Sequence, residues 1–378
     1  MHIINFKSSV TSKSFYDNIL PQLNQYSIKN SNERVKFDFS EITSINPIVL
    51  PYIFSVADAI KRVTKKKTIF SLPPYESLED ISRYLVAIGF YTVSKEMDLF
   101  DYEFEPMYSS TKDRKYSLID FQRYCSAFDY KNDDIVGSGR FLGKLWSFFL
   151  YQDEATTLDE TEQTEYNEIF ANFKKVGLDV FIAKFKREFN ENARDHAYSN
   201  AYSFGNYIKS FRKIYLCFSD AGRGLDYGIM RERKASALSN NVSKDKQSVL
   251  IFEKSKRFFD DFHLDTNCKQ ILEALFLRRK LDNVGAERGL YGLLKKLAEY
   301  QKQHDKKAIF RIHSDRCRIR ISGKQINEVV SETVEKLPND KFVDFIFDKF
   351  VANCYEENKE IQSTGKFNGF HIECELEY

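Results

Sequence analysis

Hydrophobic and polar positions follow two different periods over the first hundred residues. Short runs with every second residue apolar indicate β-strands, and longer runs with apolar residues three or four apart indicate helices. They predict a strand, a helix, a strand, a helix and a strand in HIINF, SKSFYDNILPQLNQY, RVKFDFS, PIVLPYIFSVADAIKRV and KTIFSLP. Strands joined by helices run parallel and carry helices against the sheet. We therefore expect a small α/β domain over residues 1–105.

The pattern fails at EPMYSSTKDRK, where proline, serine and charged residues gather. We interpret residues 106–165 as a linker and a helical segment, in which YSLIDFQRYCSAF fits either a strand or a short helix. A chain of 378 residues exceeds what one hydrophobic core usually serves, so a second domain is expected over residues 166–378.

A helix predicted to start near Leu178 carries polar residues spaced by four. Glu188, Asn192 and His196 are expected to project from one side of it. An E-x-x-x-N helix alone is most often a solvated face, so this pattern gains meaning only from its neighbours. The expected buried stripe of the helix is Val180, Phe181, Phe185, Phe189 and Ala193.

The next apolar strand, KIYLCFSDAGRGLD, runs into a glycine turn. Asp220, Gly222 and Gly224 form a D-x-G-x-G pattern at its end. A buried carboxylate there can accept a hydrogen bond from an exocyclic amine such as that of adenine, and the glycines let the backbone approach a ring. The plainer interpretation is an ordinary turn after a strand.

A second glycine cluster, GAERGLYG, places Gly285, Gly289 and Gly292 before and inside the start of a helix. Free backbone N–H groups and the helix dipole favour an anionic phosphate at such a place. The alternative is a flexible loop with tight helix packing. Further on, AIFRIHSDRCRIRIS predicts a hairpin that turns at Asp315 and Arg316.

Composition and charge exclude few classes of protein or of binding partner. The formal net charge of +2 gives no indication of a nucleic-acid partner. The basic run KRVTKKK, residues 61–67, is interpreted as the solvated end of a helix. Six cysteines without a C-x-x-C pair are expected to be reduced thiols. Because neither a signal-peptide pattern nor a membrane-length apolar run is present, we expect a cytoplasmic protein with no membrane partner.

Taken in chain order, the E-x-x-x-N helix, the D-x-G-x-G strand end and the glycine loop resemble the GHKL ATPase superfamily. That superfamily covers the ATPase domains of type II topoisomerases, Hsp90, sensor histidine kinases and mismatch-repair proteins. The resemblance implies a two-layer α/β sandwich, a mixed sheet covered by helices, over residues 166–378. It also implies ATP and Mg²⁺ as ligands, with a lid at about residues 225–284.

The resemblance assigns roles to the polar residues. Asn192 would ligate Mg²⁺, because an amide oxygen is a ligand that magnesium accepts. Glu188 would be the general base that orients a water toward the γ-phosphate. Asp220 would read adenine. Gly222 and Gly224 would form the floor of the adenine site, and the phosphate end would be closed by Gly285, Gly289 and Gly292.

Two features depart from the family pattern. The last strand of such domains often carries Gly-Thr, in which the threonine contacts adenine, whereas this chain has Gly369 followed by Phe370. Residues 323–364 look like a helical, charged insertion before that strand. His196 matches a position that is often histidine in the family, and its expected role is structural.

RVKFDFSEITSINPIVLPYI resembles STAS domains, the fold of anti-sigma-factor antagonists. In that family a GHKL partner phosphorylates a serine at the start of the following helix. The corresponding position here is Ile48, which cannot be phosphorylated. A generic α/β domain is the alternative. The expected fold class is therefore a small STAS-like α/β domain followed by the GHKL sandwich, α/β and α+β together.

Three functions fit these expectations. The first is a cytoplasmic ATPase whose lid closes over Mg-ATP and changes contacts with itself or with a protein partner through the STAS-like domain. The second is an anti-sigma-like serine/threonine protein kinase in a partner-switching pathway. The third is a nucleotide-sensing scaffold with little turnover.

Overall fold

The computed structural model contains a parallel sheet and antiparallel strands, so the protein is a mixed α/β protein. It describes residues 1–25, 33–72, 81–82, 84–85, 88–103, 123–129, 131–132, 134–136, 164, 167–168, 171, 174–175, 177–208, 212–224, 271, 275, 289–304, 307–346 and 361–377. The chain forms two compact units. Unit 1 consists of Met1–Asn172 and Tyr198–Gly222, and unit 2 consists of Phe173–Ala197 and Arg223–Tyr378. The predicted domain limits at residues 105 and 165 both fall inside unit 1.

Unit 1 begins with a four-stranded parallel sheet in the order β1-β2-β3-β4. Its elements in chain order are β1 (His2–Val10), α1 (Ser12–Ser14), a π-helix (Phe15–Ile19), α2 (Leu20–Gln25), β2 (Val35–Ile45), a 3-10 turn (Pro47–Val49), α3 (Leu50–Thr64), β3 (Thr68–Ser71), α4 (Phe90–Glu96) and β4 (Phe100–Tyr102). The predicted parallel strand-helix alternation is confirmed. β4 is an additional strand that three residues of sequence were too short to reveal.

Local signals start both helical segments of this sheet. At Thr11 the side chain accepts the backbone N–H of Ser14, and the Ser14 hydroxyl accepts the N–H of Thr11 in return. At Asn46 the side-chain oxygen accepts the N–H of Ile48, and Pro47 occupies the first helical position. These caps stop β1 and β2 and turn the chain back across the sheet.

The core of the parallel sheet is aromatic, as the composition indicates. Phe6 stacks on Phe39 with ring centroids 4.1 Å apart, and Phe39 stacks on Phe70 at 4.5 Å. All three rings are buried. Burial of several phenylalanines contributes on the order of 2 kcal/mol each, which explains how a small sheet with short helices acquires a stable core.

Unit 1 also contains four antiparallel strands in the order β6-β5-β7-β8. Their bounds are β5 (Arg123–Asp129), β6 (Asp134–Val136), β7 (Ala201–Ile208) and β8 (Lys213–Asp220). The segment RYCSAF is thus a strand, one of its two predicted alternatives.

Helix α3 lies between the parallel sheet and the antiparallel strands. Phe54 packs on Phe90 on one side, with centroids 4.8 Å apart, and on Tyr202 of β7 at 5.4 Å. The Sγ of Cys217 in β8 donates to the carbonyl of Ile48 at 3.0 Å. The helix is therefore buried on two faces, and β7 and β8 belong to the same compact unit as the amino-terminal sheet.

Unit 2 holds two long antiparallel strands and several helices. Its elements are α5 (Leu178–Asn192), a π-helix (Ala193–Ala197), α6 (Gly289–His304), β9 (Ala308–Ser322), α7 (Gly323–Val329), α8 (Glu332–Glu335), α9 (Asn339–Phe345) and β10 (Ile361–Glu377). Helix α6 packs against both α5 and α7. The helical character predicted for residues 323–364 holds for α7, α8 and α9, whereas its last residues, 361–364, already belong to β10.

Two expectations about local structure are wrong. The segment AIFRIHSDRCRIRIS is one continuous strand, β9, and does not turn at Asp315 and Arg316. The irregularity lies in its partner β10, whose register shifts between Ser363 and Phe370, so bulges there leave β9 unbroken. Val180 is 59% exposed, because it lies between about 100° and about 180° around the helix from the buried Phe181, Phe185 and Phe189 of α5.

The cysteines differ among themselves. Cys125, Cys217 and Cys374 are buried free thiols, as expected. Cys317 forms a disulfide bond, so the expectation of six reduced thiols is wrong there. Distance in the fold decides disulfide formation, and sequence spacing does not reveal it. Separately, none of the helices that the structure describes combines the length and the apolar character needed to cross a membrane.

Candidate functional site

Asp220 is the last residue of β8, and only 2% of it is exposed. Its Oδ1 accepts the backbone N–H of Gly222 at 2.9 Å, a turn that an aspartate favours by bonding two residues ahead. Burial raises the pKa of Asp220 to about 7, and this outweighs the Gly222 hydrogen bond, the charge of Arg62 and the Ser199 hydroxyl, which all lower it. A carboxyl group with such a pKa changes its charge near neutral pH.

Gly224 has a φ of +70°, a conformation that other residues adopt only with strain. A Cβ at this position would lie 3.5 Å from the carbonyl oxygen of Gly369 and 3.7 Å from Oγ of Ser314. The Ser314 hydroxyl donates to that same carbonyl at 2.9 Å. The second glycine of the D-x-G-x-G pattern is therefore required by backbone conformation rather than by a lack of space.

Phe370, which follows Gly369, is buried and packs on Phe189 with ring centroids 5.9 Å apart. This position supports α5 from β10, so its side chain has a packing role inside unit 2.

Helix α5 carries the predicted acid and amide. Glu188 is 7% exposed and Asn192 is half-buried, one turn later at the end of the helix. Since a charged carboxylate is rarely buried without a reason, Glu188 does not lie on an ordinary solvated face. His196 lies in the π-helix Ala193–Ala197, where the α-helical spacing used to place it no longer applies. Single π-helical turns are frequent at functional sites.

The predicted phosphate loop is described in part. Gly289 is the first residue of α6 and Gly292 lies within its first turn, on a helix that packs against α5. Gly285 lies outside the described residues, as does the predicted lid at residues 225–284 apart from the buried Ile271 and Leu275. Backbone N–H groups at the start of a helix of this length are of the kind that can bind an anion.

The side chains available for coordination determine how the protein could bind Mg²⁺. Among the described residues, no group of three or more His, Cys, Asp or Glu side chains could hold a metal ion. Magnesium keeps several waters and is commonly bound by one or two protein oxygens together with substrate phosphates. Asn192 alone fits that mode of binding and would not hold the ion without a nucleotide.

Sequence reasoning missed Arg62. Its side chain donates from Nη2 to the carbonyl of Ala221, directly after Asp220, and its Nε lies 3.6 Å from Oδ2 of Asp58. Lys61 and Arg62 do lie in the last turn of α3, as expected for the basic run, and the Arg62 side chain is 36% exposed, but it also makes these two specific contacts. Asp58, four residues earlier on the same helix, is the signal that could have revealed the interaction.

The predicted site residues divide between the two units. Unit 1 holds Asp220 and Gly222, and unit 2 holds Glu188, Asn192, Gly224, Gly289 and Gly292. No protein-family model, curated protein or solved structure matches the chain. The chemistry of these residues is therefore what indicates a function.

Proposed function

We propose that this protein binds Mg-ATP in the cytoplasm as an ATPase of the GHKL type, with a STAS-like amino-terminal domain. The observation that carries the proposal is the Asp220 carboxyl, buried at the end of an apolar strand and followed by two glycines. Burying an ionisable group is unfavourable, and groups whose pKa is strongly perturbed by burial cluster at functional sites.

The chemistry of Asp220 favours adenine. One carboxylate oxygen already accepts the Gly222 N–H, and a carboxylate has the capacity to accept further donors. The exocyclic amine of adenine supplies such a donor. Guanine presents a carbonyl oxygen at the same place, which would face the ionised carboxylate with two acceptors and no proton, so the preference for adenine is expected at pH values above about 7.

The residues of unit 2 suit the phosphate end of the nucleotide. Asn192 would ligate Mg²⁺ together with phosphate oxygens, and the ion would neutralise charge on the transferred phosphoryl group. Glu188, one turn before it, would accept a proton from the water that attacks the γ-phosphorus as the bond to ADP breaks. The backbone N–H groups of α6 at Gly289 would contact phosphate.

Binding of ATP and GTP, measured by calorimetry in Mg²⁺ for wild type and Asp220→Asn, tests the proposal. We expect ATP to bind wild type at least tenfold more tightly than GTP, and the variant to lose most of that preference (roughly 1–3 kcal/mol). Asp38→Asn is the matched control, because Oδ1 of Asp38, within strand β2, likewise accepts the backbone N–H two residues ahead, that of Ser40, at 2.9 Å. Equal affinities for the two nucleotides would overturn the adenine assignment.

The fate of the γ-phosphate separates the three functions. Phosphate released into water indicates the ATPase, transfer to a protein indicates a serine/threonine kinase, and binding without either indicates a scaffold. The STAS-like domain would contact the protein partner or a second copy. It would not accept phosphate at the family position, because Ile48 is there and is buried.

A further inference from the structure

Arg62 of α3 contacts the turn that carries Asp220. The hydrogen bond from its Nη2 goes to the carbonyl of Ala221, the residue between Asp220 and Gly222, and Ala221 is only 4% exposed. This contact joins residues 159 positions apart in the chain. The turn after β8 is therefore held from the helix of the parallel sheet as well as by its own hydrogen bond.

Arg62 also lies beside a buried carboxylate of its own helix. Asp58 lies one helical turn before it, with the Oδ2–Nε distance of 3.6 Å, and the Asp58 side chain is only 6% exposed. Oδ1 of Asp58 accepts from Nδ2 of Asn200 at 3.3 Å. Asn200 precedes Ala201, whose Cα is the partner of Asp220 across β7 and β8. A series of polar contacts thus runs from Asn200, at the start of β7, through Asp58 and Arg62 of α3 to the turn after β8.

An ordinary surface ion pair at helical spacing is the alternative interpretation. Such pairs contribute little, because both partners remain in water. Lys336 illustrates it: it pairs with Glu332 four residues earlier, and the two side chains are 74% and 80% exposed. Asp58 differs, because it is buried and burial raises its pKa against the opposing charge of Arg62. The backbone contact to Ala221 also has no counterpart in a surface pair.

We propose that Arg62 is a positioning residue for nucleotide recognition: it fixes the Asp220 turn through the Ala221 carbonyl and favours the ionised carboxylate that accepts from adenine. This inference rests on the proposed ATP-binding function. It adds that the amino-terminal parallel sheet takes part in the nucleotide site through α3. A displacement of α3, for example when a protein partner contacts the sheet, would change nucleotide affinity.

The charge of Arg62 has a predictable effect on Asp220. The groups that act on this carboxyl are the Arg62 guanidinium from α3, the Gly222 N–H and the Ser199 hydroxyl, all opposing the effect of burial. Removal of the guanidinium therefore raises the pKa of Asp220 further. Since the carboxylate is the form that accepts a hydrogen bond, ATP binding would then need a higher pH.

The test compares Arg62→Met, Arg62→Lys and Lys61→Met with wild type. Methionine keeps the apolar stem of Arg62 without its charge or its donors, and lysine keeps the charge without the guanidinium fork. Lys61→Met is the control, because it removes a charge from the preceding residue. ATP affinity is measured from about pH 6 to about pH 9, and the Asp220 carboxyl carbon is titrated by NMR in nucleotide-free protein.

In wild type, ATP affinity should rise with pH through about 7. In Arg62→Met both the affinity midpoint and the Asp220 titration should move up by about one pH unit, with about fivefold weaker binding at pH 7. Arg62→Lys should show a smaller shift than Arg62→Met because it keeps the charge, and Lys61→Met should match wild type. A purely structural role would lower the affinity of Arg62→Met at every pH and leave the midpoint unchanged, which would overturn the proposal.

A failure of the ATP-binding proposal can be distinguished from a failure of the Arg62 proposal. If wild type binds no ATP, the ATP function is wrong, and the nucleotide-free titration alone decides whether Arg62 controls Asp220. An unchanged Asp220 titration in Arg62→Met overturns that control whether or not ATP binds. If Arg62→Met does not fold, the comparison of Arg62→Lys with Lys61→Met decides: a midpoint displaced only in Arg62→Lys supports the proposal, and equal midpoints overturn it.

Discussion

Nε2 of His371 lies 3.2 Å from Oε1 of Glu373, and both side chains are only 1% exposed. The two residues are two apart on β10, so they share one face of the strand. Arg311, the cross-strand partner of Glu373, lies 3.4 Å from its other carboxylate oxygen. Unit 2 therefore buries a carboxylate between an arginine and an imidazole.

This pair predicts loss of stability in mild acid. Burial lowers the pKa of His371 below the ordinary 6.5, with a further decrease from Arg318, and the Glu373 carboxylate opposes both. Below about pH 6.5 the unfolded chain then binds a proton that the folded protein does not, so the free energy of unfolding falls as the pH decreases. Urea unfolding from about pH 5 to about pH 8 should show this slope, and His371→Gln should reduce it. An unchanged slope in His371→Gln, with His2→Gln as the control, would contradict the assignment.

The raised pKa of Asp220 predicts a pH dependence of stability opposite to that of His371. Its pKa is raised from 3.8 to about 7, so between these values the folded protein holds a proton that the unfolded chain has released, and stability falls as the pH rises. Asp220→Asn should therefore raise the free energy of unfolding by about 1–3 kcal/mol at pH values above 7 while it abolishes ATP selectivity. Urea unfolding on each side of this window measures the difference.

Asp38→Asn should behave differently in the same measurement. Burial raises the pKa of Asp38, but the hydrogen bonds from Ser40 and Ser71 and the charge of Lys36 outweigh it and lower the value overall. Its carboxylate is thus favoured by folding, and the asparagine variant should not gain stability at neutral pH. Equal gains in both variants would show that the effect is not specific to the site.

Secondary structure that depends on nearby residues in the sequence could be predicted in most cases. The alternating pattern around Phe37 and the apolar run before Asp220 are local, so the parallel strands and β8 were predicted correctly. Burial of Asp220 also followed, because its strand is apolar along its length. Contacts between distant segments were not accessible: Arg62 meets Ala221 only because α3 packs on β8, and the bulges of β10 leave β9 unbroken through its pairing.

Asn192 predicts a metal-dependent effect on nucleotide binding. Its amide oxygen would be a protein ligand of Mg²⁺, and the phosphates and waters would complete the coordination. Asn192→Ala should weaken ATP binding in Mg²⁺ by about 10–100-fold and leave binding in excess EDTA close to wild type. Calorimetry under both conditions measures the ratio. A loss of equal size in EDTA would show that Asn192 acts on the fold or on the nucleotide directly.

Glu188 separates binding from turnover. Its side chain is buried one turn before Asn192, where it would receive the proton of the attacking water without contacting the nucleotide at rest. Glu188→Gln keeps its shape and an acceptor oxygen but cannot take up a proton. We expect ATP affinity within a few-fold of wild type and single-turnover hydrolysis slower by about 10²-fold or more.

Glu332→Gln is the control for Glu188, because Glu332 is an exposed glutamate of unit 2 paired with Lys336. It should hydrolyse ATP like wild type. Since a general base acts in the transition state, its loss should leave the bound state populated, and any ATP-dependent association with a partner should last longer in Glu188→Gln. Normal hydrolysis by Glu188→Gln would place the base elsewhere, whereas lost affinity would mean that Glu188 supports the binding site itself.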